Sequence, residues 1–189
     1  MAMATIALPL PRYTVADLEQ FPDDGNRYEL LEGWLLVTPM PGSAHQWLVM
    51  RLAGALDAHT GSGRLGYVYP GGGAQHGVAT LLIPDVIVTA PDVRPGRPWI
   101  EMAERWLAVE VLSQSTRMYD RNYKVRAYLG MGVREVWLVD PWARAVEVHR
   151  AVGEAPEVVR ETLAWRAPGA HAPLLLGVVA LFDGAGVGD

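Results

Sequence analysis

A single lysine, Lys124, stands among fifteen arginines in this chain of 189 residues. Lysine offers a compact point charge whose pKa moves readily on burial, whereas arginine offers a planar fork that stays charged. Two acids are equally out of place. Asp85 interrupts the apolar run Thr80-Leu-Leu-Ile-Pro-Asp-Val-Ile-Val-Thr89, and Glu110 interrupts Trp106-Leu-Ala-Val-Glu-Val-Leu112. Carboxylates are seldom fully buried unless paired or bound to a metal. Two such acids with one ammonium can hold a hard divalent cation beside a positive charge. An ion held in that way activates water and clamps a phosphoryl oxygen, and the ammonium stabilises charge developing during phosphodiester cleavage. A plainly structural alternative uses the same residues: a buried Glu110–Lys124 ion pair, with Asp85 capped by backbone donors. Residue types alone leave both open.

The elements that must carry these groups follow from periodicity and punctuation. Near-continuous apolar runs at 80–89 and 106–112 read as strands covered on both faces, typical of an α/β sheet. Pro84 withholds a ladder donor, so the first should be irregular or at an edge there. Thr14–Gln20 reads as a short capped helix ended before Pro22. Arg27–Leu31 and Trp34–Thr38 read as a hairpin about Gly33. Ser43 caps a helix with Trp47, Leu48, Leu52, Ala55 and Leu56 on its apolar side, stopping near Gly61. Arg64–Tyr69 is a strand, and Gly71-Gly72-Gly73 a turn that lacks the residues of a phosphate loop. A helix over 120–130 places Asp120, Lys124 and Tyr128 on one face. Strands are expected at Arg134–Val139, Ala145–Arg150 and Val158–Trp165, with a frayed tail after Phe182.

Composition narrows the function classes. Half the residues are hydrophobic and none is cysteine, which excludes disulfides, zinc ribbons and thiol catalysis and fits a reducing, cytoplasmic setting. The apolar N-terminus lacks a basic leader and carries Pro9 and Pro11, unlike a signal peptide. The apolar stretch Leu174–Phe182 is too short to span a bilayer, so no membrane partner is expected. A net charge of −5 argues against a general nucleic-acid coat. Residues 113–134 nevertheless carry Arg117, Arg121, Lys124, Arg126 and Arg134 against Asp120 alone. Such a patch suits a polyanion held at one site, with Arg117 and Arg121 as DNA contacts. It equally suits a solvated helix face. His45 lies in the first turn of its helix, where it either meets substrate or is simply exposed. His59, His76, His149 and His171 show no ligand spacing and read as surface residues. Tyr128 and the tryptophans read as core.

Pro84-Asp85 followed after 25 residues by Glu110 resembles the Pro-Asp…(Asp/Glu)-x-Lys nuclease superfamily. Position 112 is Leu, and Lys124 matches those branches that carry the lysine on the following helix. Pro22-Asp23 and Pro91-Asp92 lie in polar loop sequence and lack this context. The wider order is more specific. It runs from Arg27-Tyr-Glu-Leu-Leu-Glu-Gly through His45 and Pro84-Asp85 to Val109-Glu-Val-Leu-Ser-Gln-Ser-Thr, then Asp120, Lys124, Tyr128 and Gly132-Val-Arg-Glu-Val-Trp-Leu-Val-Asp. It resembles the Uma-two family of restriction-endonuclease-like bacterial proteins, except that Gln114 stands where proline is expected.

That resemblance implies an α/β, restriction-endonuclease-like single domain over 12–182, a mixed central sheet with flanking helices, and terminal tails at 1–11 and 183–189. It implies a metal-dependent endonuclease acting on DNA, with Mg²⁺ or Mn²⁺ held by Asp85, Glu110 and the Val111 carbonyl. Lys124 would be the catalytic lysine, and Glu29 would serve a second ion or, like His45, the substrate. A homodimer is compatible with it. Two other outcomes stay open: a catalytically silent nuclease fold that binds DNA or protein, and a phosphodiesterase acting on RNA or a small nucleotide.

Overall fold

The computed structural model describes residues 12–92, 94–102 and 104–186. The expected tail 1–11 and the last residues of the C-terminal tail, 187–189, lie outside them. A six-stranded sheet forms the centre. It is built from β3 (Tyr67–Pro70), β6 (Val86–Thr89), β7 (Arg105–Val111), β8 (Glu135–Asp140), β9 (Ala145–His149) and β10 (Glu157–Val159), in the order β10-β9-β8-β7-β6-β3. Only β7 and β8 run parallel, with Glu110 opposite Leu138, so the sheet is mixed. The fold class is the α/β arrangement with a mixed central sheet and flanking helices that the sequence leads one to expect.

Strand alternation sends side chains to two cores, which explains why β6 and β7 are apolar throughout. Val86, Val88, Leu107 and Val109 pack with Leu48, Leu52 and Leu56 of helix α1 (Ser43–Thr60). Ile87, Ala108 and Leu112 face the other way, onto Leu82, Val125 and Tyr128. Glu110 shares the parity of Ala108 and Leu112. It therefore points into the second core, towards the helical segment made of α2 (Arg117–Tyr119), a π-helical turn (Asp120–Lys124) and α3 (Val125–Gly130).

A smaller antiparallel sheet flanks that second core. Its strands β1 (Arg27–Leu31), β2 (Trp34–Thr38), β4 (Ala74–His76) and β5 (Thr80–Leu82) lie in the order β2-β1-β5-β4. β1 and β2 form the expected hairpin. Glu32 and Gly33 both take positive φ, 51° and 82°, as a two-residue turn matching strand twist demands. The single strand expected over 80–89 is instead two strands in different sheets. The chain leaves the small sheet after Leu82 and enters the large one at Val86, and proline at 84 has no N–H to lose at the crossing.

Other boundaries shift for local reasons. The segment Val15–Gln20 is a 3-10 helix, with Asp17 accepting from the Thr14 N–H and hydroxyl. Gly42, not Ser43, occupies the cap position of α1. The strand expected at Val158–Trp165 breaks into β10 and β11 (Thr162–Trp165). β11 pairs with β12 (Leu174–Gly177), which leads into the one-turn α4 (Val178–Leu181). Among the described residues no helix is long and apolar enough to cross a membrane.

Candidate active site

The crossing between the two sheets sets Asp85 at the mouth of a cavity. The residue is 5 % exposed, and both carboxylate oxygens are engaged. Oδ2 accepts the Val111 N–H at 2.8 Å and lies 3.0 Å from Nε2 of His45. Oδ1 accepts from Arg27 Nη1 at 3.2 Å. Burial pushes the Asp85 carboxyl up, but His45, Arg27 and the Val111 amide outweigh it and hold the group below the usual aspartate range. His45 thus reaches Asp85 from the first turn of α1 and is not merely exposed.

Glu110, one residue before the amide that Asp85 accepts, anchors the other half of the cluster. Lys124 Nζ lies 3.1 Å from Glu110 Oε1, 2.9 Å from Glu29 Oε1 and 3.9 Å from Asp120 Oδ1. The Tyr128 hydroxyl donates to Glu110 Oε1 at 2.6 Å. Glu29 is completely buried; its Oε1 also accepts the Ile83 N–H at 2.7 Å. Asp120 is held by the Thr116 hydroxyl at 2.7 Å. The π-helical turn gathers Asp120 and Lys124 onto the buried side of the helix, and such turns favour functional positions.

The electrostatics are those of crowded acids with few cations. Burial is the main reason Glu110 is pushed up to about 8; Lys124 opposes the shift, while Asp85, Asp120 and Glu29 add to it. Burial would lower the Lys124 ammonium, yet Glu110, Glu29 and Asp120 together keep it above the ordinary lysine value. Glu29 Oε2 and Arg27 Nε are buried without hydrogen-bond partners among the described residues, and they face each other at 3.7 Å.

Asp85, Glu110, Val111 and Asp120 line one cavity of about 200 Å³, with Arg27 and His45 and the hydroxyl residues Ser113, Ser115 and Thr116. Lys124 and Glu29 lie behind its wall and are not part of the lining. The donors are hard oxygens. Among the described residues no group of three or more His, Asp and Glu side chains is placed to hold an ion. A magnesium-like ion keeps several waters and needs only one or two protein carboxylates. The Asp85–Glu110 pair fits that chemistry, and a fully protein-caged ion does not fit here.

The structure therefore brings together Asp85, Glu110, Val111, Lys124, Glu29 and His45. It does not bring Arg121 with them. That guanidinium is forked onto Glu147 and Asp140, each at 2.7 Å, on the β8–β9 hairpin. Arg117 is exposed on the same helical segment. Sequence reasoning gave no role to Arg27, which lies in the quoted stretch 27–33, and read Tyr128 as plain core. The signal for Arg27 was its spacing: residues 27 and 29 share one face of β1, so whatever Glu29 approaches, Arg27 borders.

The model of the family Uma2, described as "Putative restriction endonuclease", matches residues 15–172. The fold is similar to the crystal structure of "a putative nuclease belonging to DUF820 from Anabaena variabilis ATCC 29413", with a TM-score of 0.75 and 21 % identity, over 89 % of this chain and 97 % of that one. No curated protein matches this chain.

Proposed function

The chain belongs to the Uma2 family, and from that premise we propose that it is a metal-dependent endonuclease that hydrolyses phosphodiester bonds in DNA. One observation carries the reading. Asp85 and Glu110, from a sheet crossing and from the neighbouring strand β7, line the same cavity wall, with the Lys124 ammonium 3.1 Å behind Glu110. Asp85, Glu110 and the Val111 carbonyl would hold Mg²⁺ or Mn²⁺, which supplies an activated water and charge stabilisation when bound. Lys124 fixes Glu110 and Glu29 in place and supplies the positive potential beside the reacting phosphate. His45 orients Asp85 from its Oδ2 side.

A second reading has an observation of its own. Both Asp85 oxygens are already taken by protein groups, and Lys124 is already surrounded by acids. This favours a silent nuclease fold that binds without cutting. Incubation with supercoiled plasmid separates the two. The endonuclease nicks it in Mg²⁺ or Mn²⁺, stops in EDTA, and loses the activity in Asp85→Ala and Glu110→Gln. An intact plasmid with folded wild type in either metal supports the silent module instead.

A further inference from the structure

We propose that Arg27 is a substrate-binding residue whose guanidinium contacts a phosphate oxygen of the nucleic-acid strand at the cavity; this deepens the nuclease reading above and rests on it. Of the two cations in the cluster, only Arg27 lines the cavity. Lys124 is 1 % exposed, lies outside the lining and has its ammonium turned towards three carboxylates within 4 Å, so it is not placed to meet a ligand in the cavity. The Arg27 side chain is 26 % exposed. Among the described residues its guanidinium makes a single hydrogen bond, from Nη1 to Asp85. A guanidinium carries five donors in a planar fork that matches a phosphate's paired oxygens. Most of that fork is uncommitted.

Position strengthens the assignment. Arg27 and Asp85 also border a second cavity, of about 350 Å³, bounded by Gln46, Pro70 and Gly71. A strand extending from one cavity to the other passes Arg27 and the Asp85 carboxylate together. The cavity wall near them carries His45 and Gly42 at the start of the 18-residue α1, which has no side-chain cap. That wall is therefore the electropositive side of an otherwise acidic hollow. A phosphodiester anion meets cationic N–H groups there and the carboxylates Asp85, Glu110 and Asp120 beside them.

Arg27 could instead act only as a counter-ion for Asp85 and Glu29, and binding measurements distinguish the roles. Calcium affinity of the protein alone is measured by calorimetry. Affinity for a fluorescein-labelled single-stranded oligonucleotide is then measured by anisotropy in saturating Ca²⁺, for wild type, Arg27→Met and Arg27→Lys. The proposal expects Arg27→Met to bind the oligonucleotide at least about tenfold more weakly, as loss of a charged hydrogen bond implies, while Ca²⁺ affinity holds or rises. Arg27→Lys should fall between, because a point charge replaces the fork. Oligonucleotide affinity in Arg27→Met equal to wild type overturns the proposal, as does a wild type that binds no oligonucleotide. If Arg27→Met does not fold, wild-type affinity in Arg27→Lys overturns it. A wild type that takes up no metal and nicks no plasmid sinks the nuclease reading separately, and the Arg27 assignment is still decided by the anisotropy series.

Discussion

Lys124 shows how much of this protein's chemistry depends on single side chains. Its ammonium is buried among Glu29, Glu110 and Asp120. Removing the charge in Lys124→Met leaves those buried acids uncompensated. The expected loss is about 3–5 kcal/mol of stability. Glu110→Gln should cost less than about 1 kcal/mol. Glu29 still holds the ammonium at 2.9 Å, and burial already pushes Glu110 up to about 8, so the native state gives up little ionised charge. Urea unfolding of the two variants checks this; equal losses would mean that the Glu110–Lys124 pair alone supports the cluster. Asp85 and Glu110 were legible in the sequence because an acid inside an apolar strand has few reasons to be there. Arg27 was given no role and His45 only an open one between substrate contact and plain exposure, because their importance comes from β1 and α1 being folded against the crossing at Asp85. The spacing of 27 and 29 puts Arg27 beside Glu29, but nothing local to 27 or 45 shows that both approach Asp85.

At the scale of elements, a second charged cluster fastens the helical segment to the sheet. Arg121 bridges Asp140 and Glu147, and His149, expected at the surface, is only 11 % exposed, with Nε2 3.6 Å from Glu147. The nearby His149 ring first, then the Arg121 hydrogen bonds, lower the Glu147 carboxyl from an ordinary 4.5 to about 2 against the effect of burial. A depressed carboxyl stabilises the fold above its unfolded pKa, and that contribution is lost as pH falls through the folded value. Glu147→Gln should therefore be less stable than wild type at about pH 7, with the gap closing towards about pH 2. Thermal melts across that range check it; a gap that stays constant with pH contradicts the pairing. This cluster also accounts for Arg121, which sequence charge-counting assigned to DNA. Counting finds cations but not the acids that β8 and β9 bring to them. The break of 80–89 into two strands was half legible. Proline 84 marked an irregularity, but only the pairing partners decide that β5 and β6 belong to different sheets. The π-helical turn was not legible, since the helical period of Asp120, Lys124 and Tyr128 suits an ordinary helix nearly as well.

The whole molecule is acidic, with a net charge of −5, and its cavity-facing cations are few. Binding to a single strand should depend only weakly on salt, because each neutralised phosphate adds only about 0.7 to the slope of log affinity against log salt. A slope of magnitude about 2 or less is expected, shallower by about 0.7 in Arg27→Met. A steep slope unchanged by that substitution would place the contacts on another surface. The central claim concerns the oxygens of Asp85 and Glu110, and a calorimetric titration of Mg²⁺ and Mn²⁺ tests it most directly. Wild type should show saturable binding at one class of site, and Asp85→Ala, with its fold verified by circular dichroism, should show none. Absence of binding to wild type, or equal binding to Asp85→Ala, would contradict the account.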